Sequence, residues 1–337
     1  MDYTDYPRPV VEDIVRLRRR LDAANIPPRR TDHNLLIGTW NIRGFGAIEP
    51  GWDETPKGSK RTYRSLAVIA EIIRRFDVIA IQEVKRDTSG IRTLLRDFLG
   101  KNWGLILSDV AGGDAGNAER LAFVYDRRRV SPSGLAGEIV LPPTANGDPA
   151  EQFSRTPYIV GFESANESFA LLTTHIKYGD KPEERLPELR ALAAYVAREI
   201  RDRARMPGAE ETNLIVLGDF NIDQRGDDPL FQAFVSTGLI VPDALLNVRT
   251  TYDTKPKHYD QIAWFMGDLN LLSEKRAGVV DFAGAVYKDL KPLQMSFRIS
   301  DHFPLWVEFI VDRSTQALAH TLGIDPDMPN PFSGIPD

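Results

Sequence analysis

Ten short apolar runs constrain this chain more than any other feature. "LLIGTWNI", "FDVIAIQEV", "WGLILSDV", "RLAFVYD", "YIVGFES", "SFALLTTHI", "NLIVLGDFNI", "YDQIAWF", "LNLLSE" and "LWVEFIVD" each have the length of one strand. Most are nearly continuous rather than alternating, as strands covered on both faces can be. Helical patterns stand between some of them: "RSLAVIAEIIRR", "IRTLLRDFL" and "LPELRALAAYVAREIRDR". Strands and helices interleaved in this way predict an α/β fold with buried sheets. No low-complexity linker cuts residues 35–312, so one large domain is the simplest division. Ahead of it, residues 1–34 read as an amphipathic helix and linker, with Val10, Val11, Ile14, Leu17 and Leu21 on one side. The arginines Arg16, Arg18, Arg19 and Arg20 then form a solvated face. Residues 313–337, ending "LGIDPDMPNPFSGIPD", read as a draped or unstructured proline-rich tail.

The 42% hydrophobic content is enough for a packed core and excludes a disordered chain. There is no cysteine, which excludes disulfides, thiolate zinc sites and a cysteine nucleophile. The N-terminal stretch lacks a basic-then-apolar leader, and no apolar run reaches the roughly 18 residues of a membrane span. A cytoplasmic protein that does not enter membranes is expected. The net charge of −6 argues against a globally cationic nucleic-acid binder. It leaves room for a local basic surface, or for an acidic site that a cation neutralises.

Polar residues cluster where the apolar runs end. Asn41 closes "IGTWN", Gln82 and Glu83 follow "DVIAI", His175 ends "LLTTH", and Asp219 and Asn221 end "IVLGDFN". Glu119 precedes "RLAFVYD", Asp260 opens "DQIAWF", and Asp301 and His302 stand just before "PLWVEFI". Burying a carboxylate or amide at a strand end costs several kcal/mol unless it is paired or liganded. So many cases together suggest that the strand ends converge. Asp219 and Asn221, two apart in an extended chain, would point to the same side. Carboxylates and amides without thiols are a hard oxygen donor set suited to magnesium or manganese. Histidines beside them supply proton exchange near neutral pH. The combination suits metal-assisted hydrolysis of a phosphate ester.

The ordered series "TWNIRG", "IQEV", "TTHIKYG", "LGDFN", "YDQI" and "SDHFP" resembles the endonuclease/exonuclease/phosphatase superfamily of metal-dependent phosphoesterases. The resemblance implies a four-layer α/β sandwich, two mixed β-sheets packed face to face and flanked by helices, with the site at one rim. "ERLAFVYD" and "FSRTPYIVGF" resemble the pancreatic-type deoxyribonucleases. His175 separates them from abasic-site endonucleases, which share most of the other positions. The resemblance implies roles residue by residue. Glu83 binds a divalent ion, helped by Asn41 and Asp301. His302, oriented by Asp260, activates water or stabilises the attacked phosphate. His175, paired with Glu119, donates to a phosphate oxygen or to the leaving group. Asp219 and Asn221 position the nucleophile, while Arg155 and Lys177 bind substrate phosphate.

Departures stand beside these matches. Asn117 occupies a tyrosine position of the deoxyribonucleases, Lys85 replaces an arginine, and the family's structural disulfides are absent. The expected activity is a Mg2+- or Mn2+-dependent DNA endonuclease of low sequence specificity, with "KGSKRTYR" and Arg16–Arg20 as basic patches. Two alternatives stay open: a phosphatase or phosphodiesterase for a small-molecule or lipid phosphate, and a binding module that keeps only the scaffold. Oligomeric state is not legible.

Overall fold

The computed structural model describes residues 3–52, 60–112, 116–165, 167–203, 213–252, 255, 257–265, 273–325, 328 and 330–335. The strands are β1 (Asn34–Phe45), β2 (Val78–Lys85), β3 (Trp103–Leu107), β4 (Glu119–Asp126), β5 (Ser131–Glu138) and β6 (Tyr158–Ser164), followed by β7 (Glu167–His175), β8 (Asn213–Asp219), β9 (Leu239–Ile240), β10 (Asp260–Phe265), β11 (Ser273–Val279) and β12 (Leu305–Ile310). They form two six-stranded sheets, ordered β11-β12-β1-β2-β4-β3 and β5-β6-β7-β8-β10-β9. In each sheet one central parallel pair, β1/β2 or β7/β8, is flanked by antiparallel pairs. This is the mixed-sheet α/β sandwich that the family resemblance implies.

The continuous apolar runs are continuous because each face has its own cover. Along β1, Leu35 and Ile37 join Phe123, Phe162, Phe169, Leu217 and Phe309 in one core. Leu36, Trp40 and Ile42 join a second core with the helices α1 (Arg8–Ala23) and α2 (Tyr63–Ile73). After α3 (Ser89–Thr93), which runs on into a π-helical turn, α4 (Leu186–Arg203) adds Leu189, Leu192 and Val196 to the first core. Leu17 and Leu21 of α1 are fully buried. Ion pairs also tie α1 to α2: Arg64 Nε donates to Asp13 Oδ2 at 2.9 Å, and Arg18 Nε to Glu71 Oε2 at 2.9 Å.

Other short helices are α5 (Pro229–Val235), α6 (Asp243–Leu246), α7 (Pro292–Arg298) and α8 (Ser314–Leu322). The last corrects the expectation of an unstructured tail. Asp312 Oδ1 accepts from the Ser314 amide and starts the helix, and Gly323, at φ +66°, ends it. Only Ala319 of α8 is buried, so its sequence carried little apolar signal. Strand β5, "SPSGLAGE", escaped the pattern because it is a half-exposed sheet edge holding glycine and proline. Most of "LNLLSE" lies outside the described residues; the strand described there starts at Ser273. No described helix is long and apolar enough to cross a membrane.

Candidate active site

Parallel pairing places the carboxyl ends of neighbouring strands at one rim. In β7/β8 the register sets His175 opposite Asp219, and in β8/β10 it sets Asp219 opposite Asp260. Gly218 makes the first approach feasible. It adopts φ +142°, and a Cβ there would lie 2.2 Å from the Thr174 carbonyl oxygen. At the end of β2, Gln82 and Glu83 together face one residue of β4, because the register shifts between Ile81 and Val84. This is a bulge. It sends Gln82 inward, where its Nε2 donates to Thr173 Oγ1 at 2.9 Å, and turns Glu83 toward the rim. Glu83 at φ +62° and Asn221 at φ +51° occupy the left-handed region that non-glycine residues avoid. Such backbone strain clusters at functional sites.

Side-chain contacts at this rim bridge the two sheets. Asn41 Nδ2 of the first sheet donates to Asp219 Oδ2 of the second at 2.8 Å, and also to Glu83 Oε1 at 2.9 Å. His175 Nδ1 meets Glu119 Oε2 at 2.9 Å. His302 Nδ1 meets Asp260 Oδ2 at 2.8 Å. The two free imidazole nitrogens then converge: His175 Nε2 is 3.5 Å and His302 Nε2 3.8 Å from Asp219 Oδ2. The Asp219 amide neighbour also helps, since Asn221 N donates to Asp219 Oδ1 at 3.0 Å. Asn221 Nδ2 donates to the Ile176 carbonyl, which fixes the turn after His175.

The charges follow from these contacts. Burial raises Glu119, but His175, Arg155 and Lys85 outweigh it and hold the carboxyl at about 2. Burial likewise raises Asp219, yet His302 and His175, with the Asn41 donation, keep it below the usual carboxylate range. Burial, reinforced by Asp219, lifts Asp260 above its ordinary value against the pull of His302. Burial would lower His302, but the charges of Asp260 and Asp219 raise it well above its ordinary value. Asp260 and Asp219 thus bias His302 toward its protonated form.

The expected phosphate and metal residues are arranged less uniformly. Asn41 is 1% exposed and its Oδ1 has no hydrogen-bond donor. A buried amide oxygen without a partner is costly. The Glu83 carboxylate lies at the Nδ2 end of the same amide, and with the amide turned over the two residues would present an oxygen pair that fits a hard divalent cation. Asp301 stands at the rim, and its Oδ2 is 3.1 Å from Arg43 Nη1. Arg155 does not face open solvent: its Nε is 2.7 Å from Glu119 Oε2 but misaligned for a hydrogen bond, behind the His175 pair. Lys177 is half-buried beyond His175, with its amide donating to Glu188. Asn117 fills the tyrosine position and donates to Glu119 Oε1 at 2.5 Å, alongside Lys85 Nζ at 2.9 Å.

The basic patches differ from the expectation. Within "KGSKRTYR", whose first three residues lie outside the described chain, Arg61 is buried and donates to the carbonyls of Arg43, Gly44, Arg298 and Ile299. Burial draws it down to about 10, so it stays charged but is unavailable to substrate. Arg64 is likewise buried against Asp13 and Asp289. Arg43, Arg249, Lys257 and Tyr259, none of which had a role assigned from sequence, line an 810 Å³ cleft that also includes Asp301 and His302. Only the position of Lys257 and Tyr259 just before Asp260 could have signalled this.

Among known proteins, the profile of the Endonuclease/Exonuclease/phosphatase family matches residues 38–302. A deoxyribonuclease of Thioalkalivibrio sp. (strain K90mix) is 28% identical over 290 residues, covering 82% of this chain and 71% of that protein. Deoxyribonuclease gamma of Mus musculus is 25% identical over 313 residues, covering 83% and 85%. Among solved structures, an endonuclease/exonuclease/phosphatase family protein from Bacteroides thetaiotaomicron superposes with a TM-score of 0.56 at 19% identity, over 83% of this chain and 95% of that one. The human Nocturnin catalytic domain with bound sulfate anion gives 0.55 at 16%, over 84% and 96%. These two share the fold.

Proposed function

Since the chain belongs to the Endonuclease/Exonuclease/phosphatase family and is a metal-dependent hydrolase of phosphate esters, we propose that it is a magnesium- or manganese-dependent nuclease, cutting DNA internally with little sequence preference. The observation that carries this reading is the convergence of two histidine–carboxylate pairs on Asp219 Oδ2. The deoxyribonucleases among its relatives support the choice of nucleic acid.

Glu83 and Asn41 Oδ1 would hold the cation, with Asp301 near the rim. When bound, it would offset phosphate charge and polarise the phosphorus. The chain's own groups do the rest. Asp219, ionised between two imidazoles, orients the attacking water and accepts its proton. Of the two tasks the sequence allowed His302, the protonated state set by Asp260 and Asp219 favours gripping a phosphoryl oxygen. His175, with Nδ1 fixed by Glu119, directs Nε2 at the leaving oxygen and donates the proton it needs. Asn221 holds the turn that carries Asp219. Arg155 and Lys85 act through Glu119, and Lys177 meets phosphate farther out.

A second reading, a phosphatase or phosphodiesterase for a small phosphate ester, is favoured by the 810 Å³ cleft, which is large enough for a whole small substrate. Purified protein should be incubated with supercoiled plasmid, single-stranded DNA, RNA, nucleotides, sugar phosphates and phospholipids, in magnesium and in manganese. Nicked and fragmented DNA that disappears in His302→Ala is the expected result. Turnover of a small ester with intact nucleic acid throughout would replace the nuclease reading with the second one.

A further inference from the structure

Helix α1 carries a second basic feature besides its contacts with α2. Arg16 Nε donates to the Ala285 carbonyl at 2.9 Å, and Arg20 Nη2 to the Ala283 carbonyl at 3.3 Å. The two arginines thus clasp the segment on either side of Gly284, at the wall of the catalytic cleft. Gly284 also lines a second groove of about 340 Å³, whose other walls include Arg16, Arg19, Arg20 and Lys288. Cleft and groove meet at this glycine, where an added Cβ would find open space. Arg19 and Lys288 are exposed and make no ion pair among the described residues. Nearby acids are engaged by other cations, Asp289 by Arg64, Asp281 by Arg249, and Glu12 and Asp13 by Arg16, so the groove's unpaired charge includes that of Arg19 and Lys288.

We propose that the groove between α1 and the Gly284 loop is an extended binding site for a nucleic-acid backbone, which leaves the scissile position through the cleft and crosses Gly284 onto Arg19 and Lys288. The inference rests on the nuclease reading and names where its substrate runs. Its physical basis is a cationic track continuous with the catalytic cleft on a chain of net charge −6. A surface lined by one sign of charge raises the local concentration of ligands of the opposite sign. Phosphates bound there release counterions, so affinity should depend on strand length and salt.

The test uses the full chain in EDTA, with labelled single strands of about 4 and about 16 nucleotides, the range covered by extended single-strand sites. The longer strand should bind more tightly, and Arg19→Ala/Lys288→Ala should weaken it about 10-fold and lower its salt slope by about 1.4, at roughly 0.7 per phosphate contact. Binding of the short strand, and metal-supported hydrolysis of bis(p-nitrophenyl) phosphate, should not change. Cleavage of DNA by the unaltered protein with no length dependence, or an unchanged slope in the variant, would overturn the proposal alone. Absence of any nucleic-acid cleavage or binding would overturn the nuclease reading with it. Binding of anionic lipid vesicles in place of either strand would assign the groove to a membrane surface and also count against it.

Discussion

Asp260 is the residue whose replacement tests the charge balance of the site most directly. Its carboxylate raises His302, so Asp260→Asn should lower the His302 pKa. If His302 acts as a proton-bearing group, activity is present below its pKa and lost above it. The alkaline limb of the rate profile should then move to lower pH in the variant, with turnover down about 10²- to 10⁴-fold. An unshifted limb sinks the assignment. Circular dichroism melting should change little, because His302 can lose its proton in the variant and keep a neutral hydrogen bond to the asparagine amide. Glu119 offers a stability test with the opposite sign. Its pKa is depressed from an ordinary 4.5 to about 2, so its contribution is complete above 4.5 and is lost as pH falls toward 2. Glu119→Gln should flatten the acid limb of urea-unfolding stability in that window, by up to about 3 kcal/mol. Identical limbs in both proteins would mean the pair does not form. These residues were legible because a polar letter after an apolar run is costly unless satisfied. The apolar pattern does not say which of them pair: His175 with Glu119, 56 positions apart, is a tertiary contact that only the family resemblance implied.

At the scale of elements, α1 is part of the core and not an appendage. Leu17 has no exposed surface and lies in the cluster containing Leu66, Ile69 and Ile73 of α2. Leu17→Ala should cost about 2–5 kcal/mol in unfolding free energy. A loss under 1 kcal/mol would mean that the helix detaches readily. Its 3.6-residue apolar spacing made α1 legible from sequence, but the use of its arginines was not. Arg16, Arg18 and Arg20 read as a solvated face, and the structure commits them to Ala285, Glu71 and Ala283. Sequence periodicity reports which side of a helix is apolar. It carries no information on what stands opposite a long, flexible cation.

For the whole molecule, the two sheets act as jaws whose rim contacts are the site, so a cation bound between Asn41 and Glu83 should stabilise the folded state. Magnesium or manganese should raise the melting temperature, with a gain of about 2.7 kcal/mol at one hundred times Kd. EDTA should reverse it, and Glu83→Gln should abolish the rise; an equal rise in that variant would place the cation elsewhere. The sequence by itself determined the α/β class, the strands covered on both faces and most of the polar residues at the rim. It could do so because burial periodicity and the cost of unsatisfied polar groups act locally along the chain. Only the tertiary structure decided that Arg61 is buried, that Arg155 stands behind His175, and that α1 meets the Gly284 loop. Those outcomes depend on which surfaces the two sheets bring together, and contacts between distant segments leave no periodic trace in one sequence.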